Sequence, residues 1–78
     1  MRIKSASKIE TSIRWGVSVY IDGLEMPFTV FTRNGVVDGD HNSNMGTHYL
    51  DYFNNHPEST RIEHFNKIKR YIENELNP

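Results

Sequence analysis

The run from Ser12 to Phe31, SIRWGVSVYIDGLEMPFTVF, constrains the fold more than any other part of the chain. Ile13, Trp15, Val17, Val19 and Ile21 alternate with Ser12, Arg14, Gly16, Ser18 and Tyr20, which is the period of a strand with one buried face. Asp22-Gly23 follows at once, and a two-residue type I′ turn needs residues that accept positive φ at both central positions. That turn fixes the register: Ile21 meets Leu24, Val19 meets Met26, Val17 meets Phe28 and Trp15 meets Val30. Each of these four inward residues of the first strand then has an apolar partner. Pro27 falls opposite Ser18 in a non-hydrogen-bonded pair, so its missing N–H costs that pairing nothing.

Asn34-Gly35 offers a second tight turn, which pairs Thr32 with Val37 and Phe31 with Asp38. The expected product is a three-stranded antiparallel meander. The N-terminal MRIKS is either a fourth strand or a loose end; its sequence does not decide between them.

Past the polar segment VVDGDHNSNMGTH the period changes. Tyr49, Leu50, Tyr52 and Phe53 have helical spacing, and a short helix there has to finish near His56 because the residue before Pro57 is pushed out of the α region. The longer TRIEHFNKIKRYIENEL carries Ile62, Phe65, Ile68, Ile72 and Leu76 along one stripe. It starts either at a Thr60/Glu63 capping box or with Pro57 as first helical residue. The fold class that follows is α+β: a small two-layer domain spanning 1–78, its antiparallel sheet backed by two C-terminal helices.

Bulk properties exclude several functions. Nine Lys and Arg against ten Asp and Glu give a formal charge of −1, the signature of neither an electrostatic nucleic-acid binder nor an acidic nucleic-acid mimic. The absence of cysteine removes disulfides, thiolate ligands and thiol nucleophiles, and fits a reducing cytoplasm. MRIKSASKIETS lacks the apolar core of a secretory signal, and no apolar run is long enough for a membrane span.

In the polar segment, Asp38, Asp40, Asn42 and Asn44 occupy positions 1, 3, 5 and 7 of a calcium-loop spacing. Position 6 is Ser43 where glycine is needed, and position 12 is Tyr49 where a bidentate glutamate is needed. His41 and His48 with the aspartates lack a zinc spacing, and His56 and His64 are scattered. No nucleophile elbow or P-loop occurs. The expectation is a noncatalytic protein without cofactor or metal, the segment serving as a loop built from turn-forming residues.

The outward face of the hairpin has a different character. If the helices cover the Trp15/Val17/Val19 face, Arg14, Ser18, Tyr20, Glu25, Thr29, Phe31 and Arg33 look to solvent. Aromatic residues beside arginines have the composition of a binding hot spot. Tyr20, Phe31, Arg14, Glu25 and Arg33 are therefore the candidate partner-binding residues.

With its VSVYIDG strand and turn, LDYF, RIE opening the last helix and terminal NP, the chain resembles the small bacteriophage anti-CRISPR proteins that inhibit type I-F systems. The similarity in length and element order extends over nearly the whole chain. It implies a phage inhibitor that binds the repeated backbone subunit of an RNA-guided surveillance complex and stops it engaging target DNA. The family's central interface tyrosine falls on Tyr20. Its additional N-terminal tyrosine has no counterpart in MRIKSASK, and its second-strand interface glutamate falls on Phe31. The expected partner is a host protein or complex, with no membrane and no nucleic acid. The rival from another class is a single-stranded RNA binder that stacks bases on Tyr20 and Phe31 and holds phosphates with Arg14 and Arg33. A metal-dependent enzyme using the Asp38 to His48 segment is the third class.

Overall fold

The structure is a computed structural model that describes residues 1–10, 14–44 and 50–76. Strands β1 (Arg2–Glu10), β2 (Arg14–Ile21), β3 (Leu24–Arg33) and β4 (Val36–Val37) are followed by helices α1 (Leu50–Asn55) and α2 (Glu58–Leu76). The strands form one antiparallel sheet in the order β1-β2-β3-β4. The protein is thus α+β, a four-stranded sheet followed by two C-terminal helices.

The β2–β3 register is the one the Asp22-Gly23 turn dictates, from Ile21 opposite Leu24 to Arg14 opposite Phe31. Asp22 has φ 51° and Gly23 φ 80°; Asn34 and Gly35 repeat this with 53° and 83°, as two type I′ positions require. Beyond Asn34-Gly35, Thr32 pairs with Val37, and the Asp38 amide donates to the Phe31 carbonyl at 2.9 Å. β4 stops far short of Pro27.

MRIKS does become a strand, and β1 runs on to Glu10 along the outside of β2. Its pairing breaks between Ile3 and Ser5 and again between Lys8 and Glu10, so Lys4 and Ile9 are extra residues in bulges. The first break brings both Ile3, opposite Val19, and Ala6, opposite Val17, against the core despite their odd spacing.

That core joins Trp15, Val17, Val19, Ile21, Met26, Phe28, Val30 and Val37 of the sheet to Tyr52 of α1 and Phe65, Ile68 and Ile72 of α2. Ile62 and Leu76 complete the α2 stripe half-buried. One expected core position is corrected. Leu24 is 61% exposed although its partner Ile21 is buried; it is the first residue after the Asp22-Gly23 turn, at the end of the ladder. Phe53 is 46% exposed: a helix of six residues turns only one aromatic inward, and Tyr52 takes that place, edge-on to Phe28 at 4.9 Å. Phe53 lies beneath the Arg61 guanidinium instead, 5.6 Å from its ring centre.

α2 begins nearer the Pro57 alternative than the Thr60 capping box. The Pro57 carbonyl accepts from the Thr60 and Arg61 amides at 3.0 and 3.1 Å, and a proline loses nothing by lacking an N–H in the first turn. Ile13 and Tyr49 lie outside the described residues. Among the described residues no helix is long and apolar enough to cross a membrane.

Candidate protein-binding face

Alternation along β2 and β3 gives the sheet a second face that, among the described residues, has no helical cover, and β1 extends it. Near the Asp22-Gly23 turn, Tyr20 is flanked by Arg2 on β1 and Glu25 on β3. The Arg2 guanidinium stands 4.7 Å from the Tyr20 ring centre, so the ring is half-buried rather than fully open. Glu25 accepts from Ser18 Oγ at 2.8 Å and from Lys4 Nζ at 3.0 Å. The serine hydroxyl and the lysine together hold its carboxyl below the usual range, and hydrogen bonding to Glu25 raises Lys4 in turn.

Phe31, Arg14 and Arg33 stand at the other end. Phe31 is 44% exposed and lies opposite Arg14; Arg33 pairs with Asp38 at 3.5 Å. Arg14 and Tyr20 are six positions apart along β2, about 20 Å of strand. The five candidate residues therefore form two clusters at opposite ends of one face. Between them lies a shallow trough of Ser5, Ser7, Ile9, Gly16, Ser18, Pro27 and Thr29. A Cβ on Gly16 would come within 3.0 Å of Ile9 Cδ1, so the glycine lets the bulged Ile9 lie down on the sheet.

The contributions of β1 to this face were hidden in the sequence. Arg2, Lys4, Ser5, Ser7 and Ile9 follow no simple alternation, because the bulges change the phase of the strand. Arg2 and Lys4 are nevertheless the residues that fix Tyr20 and Glu25.

The polar segment has a structural task. Asp40 Oδ1 accepts from the amides of Asn42 and Ser43 at 2.9 and 3.1 Å, and these bonds, Ser43 first, hold its carboxyl below the ordinary value. Where β3 and β4 diverge, the buried Asn44 carboxamide takes the place of a missing peptide unit. Its Oδ1 accepts from the Phe31 amide at 2.7 Å, while Nδ2 donates to the carbonyls of Asp38 at 2.8 Å and Asp40 at 3.1 Å. Gly39 has φ 102°, and a Cβ there would come within 2.2 Å of Ser43 Oγ. Of the oxygens that suggest a cation loop, Asp40 Oδ1 is thus engaged by the loop's own amides, Asn44 Oδ1 by the Phe31 amide of β3 and Asp38 Oδ2 by Arg33. Among the described residues no group of three or more His, Asp or Glu is arranged to hold a metal ion. His48 is outside the described residues; His41 faces Glu58 at 3.2 Å.

His56 and His64, eight residues apart in sequence, meet in space. Their ring centres are 5.5 Å apart, both beside Tyr52, and the Tyr52 hydroxyl lies 3.1 Å from His64 Nδ1. A pair separated by a helix break at Pro57 carries no periodic signal that could reveal this.

Compared with protein families, with curated proteins and with solved structures, the chain has no significant match.

Proposed function

We propose that this protein is a noncatalytic inhibitor of phage type that binds a host protein or protein complex through the uncovered sheet face. A bacterial CRISPR surveillance complex is the target that the sequence resemblance suggests. The observation that carries the reading is the face itself: two clusters, each with an aromatic ring beside an arginine, about 20 Å apart across a trough of small side chains. A span of that length suits a macromolecular surface better than a small ligand. Exposed Phe31 and the Arg2-braced Tyr20 are the rigid aromatic anchors from which hot spots are usually made.

A protein partner is favoured over single-stranded RNA by the same details. Arg2 covers one face of the Tyr20 ring, and Arg33 is already paired with Asp38. A metal-dependent reaction in the polar segment is disfavoured by the engagement of Asp40 and Asn44 with backbone groups. A cytoplasmic site of action goes with this reading.

The test is binding to a purified type I-F surveillance complex, together with capture from host lysate. Tyr20→Ala should weaken partner binding by about 2 kcal/mol or more, while costing stability no more than about 1 kcal/mol. Phe31→Ala should act likewise. Failure to bind the complex would remove that target alone. A partner that binds wild type, Tyr20→Ala and Phe31→Ala equally well would remove the face.

A further inference from the structure

Tyr52, His56 and His64 come from three places: α1, the corner before α2, and the second turn of α2. Tyr52 is 1% exposed and rests edge-on against Phe28, so it is the main link between α1 and the sheet. His56 stacks on it at 5.0 Å and His64 lies at 5.8 Å. Two further bonds close the corner: His56 Nδ1 lies 2.9 Å from the Tyr52 carbonyl, and Arg61 Nη1 donates to the His56 carbonyl at 2.7 Å. Asp22 Oδ2, 3.3 Å from His56 Nε2, ties the corner to the β2–β3 turn.

We infer that this cluster is an acid-operated joint: it holds α1 against α2 and the sheet while His64 is neutral, and loosens α1 when His64 takes up a proton. In the tautomer with its hydrogen on Nε2, the neutral imidazole accepts a hydrogen bond from the Tyr52 hydroxyl, 3.1 Å away, at Nδ1. Once Nδ1 is protonated it becomes a donor, and the buried hydroxyl has to find another acceptor. The new charge also sits in a poor place. It is partly withdrawn from water, 5.5 Å from a second imidazole, with the Met1 amino group and Arg61 contributing positive charge to the same corner. Glu63 on α2 and Asp22 on the turn act in the opposite direction.

Burial, then His56, then the Met1 amino group hold His64 below its ordinary 6.5. In the interval between that lowered value and 6.5 the unfolded chain binds more protons than the folded one. The stabilisation is complete above 6.5 and is lost as pH falls through the folded value.

The experiment follows the histidine ring and backbone amide resonances of the whole chain from about pH 7.5 to about pH 5, with thermal unfolding of wild type and His64→Gln across the same range. Glutamine keeps an acceptor for the Tyr52 hydroxyl but does not titrate. His64 should titrate below 6.5, with the Tyr52 to Asn55 amides moving at the same midpoint and those of Val17 and Val19 staying still. Wild type should lose melting temperature on acidification that His64→Gln keeps. A His64 midpoint at or above 6.5, α1 amides that ignore it, or equal acid losses in the two proteins would overturn the joint. Should His64→Gln not fold, the wild-type resonances decide the matter by themselves.

Discussion

Val19 and Tyr20 are neighbours in the chain and belong to opposite surfaces. Val19 is fully buried beneath the helix layer, whereas Tyr20 is braced by Arg2 on a face that no helix among the described residues covers. The covered face is filled by large apolar side chains from six elements; the uncovered one is mostly serine, glycine, proline and threonine between two aromatic ends. Closing one face is enough to fix the register, since a slip by a single residue would exchange the two sets of side chains. The other face is thereby released from folding duty. Its composition can answer to a partner.

Three substitutions separate the two sides by size of effect. Trp15→Ala should be the most damaging, at about 3–5 kcal/mol for a buried large aromatic. A domain of this size has only about that much net stability, so urea titration should find the protein mostly unfolded. Unchanged cooperative melting would mean that the two faces had been assigned the wrong way round. Asn44→Ala comes next. It strands the Phe31 amide and the Asp38 carbonyl at the far end of the open face, a loss of about 1–2 kcal/mol for half-buried backbone groups, measurable as a lower denaturation midpoint. Substitution with aspartate should not rescue it, because the donor to Asp38 would be gone. Leu24→Ser should fall below about 0.5 kcal/mol, although alternation alone assigns Leu24 to the core. A larger loss would show that the helix layer reaches further over the turn than its exposure indicates.

The hairpin was legible because two independent signals, the period of two and the paired turn residues, demand one register, and β2–β3 has it. The α2 stripe was legible for the same kind of reason. β1 was not, since Ile3 and Ala6 are three apart and a straight strand cannot turn both toward one face. Only the bulge at Lys4 reconciles their spacing with a strand, and a bulge has no composition of its own here. The role of Asn44 was equally hidden. Among seven consecutive polar or glycine residues nothing distinguishes the one whose carboxamide enters the ladder. Of the candidate face, the β2 and β3 positions could be placed by register, but the Arg2 and Lys4 braces depended on the pairing of β1.

The same irregularities guard the protein against its own kind. A sheet with two free sides invites strands from other molecules to extend it, and long straight edges are where such growth begins. Here a foreign strand approaching β1 meets a ladder interrupted at Lys4 and again at Ile9, with no regular run longer than Ser5 to Lys8. At the opposite side β4 offers two residues, and the outward amide of Val37 is already held by Glu73 of α2 at 2.8 Å. Burial pushes the Glu73 carboxyl up, but Lys69 and that amide outweigh it and keep it in the charged form that accepts the bond. At both sides of the sheet, then, the backbone groups that a foreign strand would pair with are interrupted or already engaged.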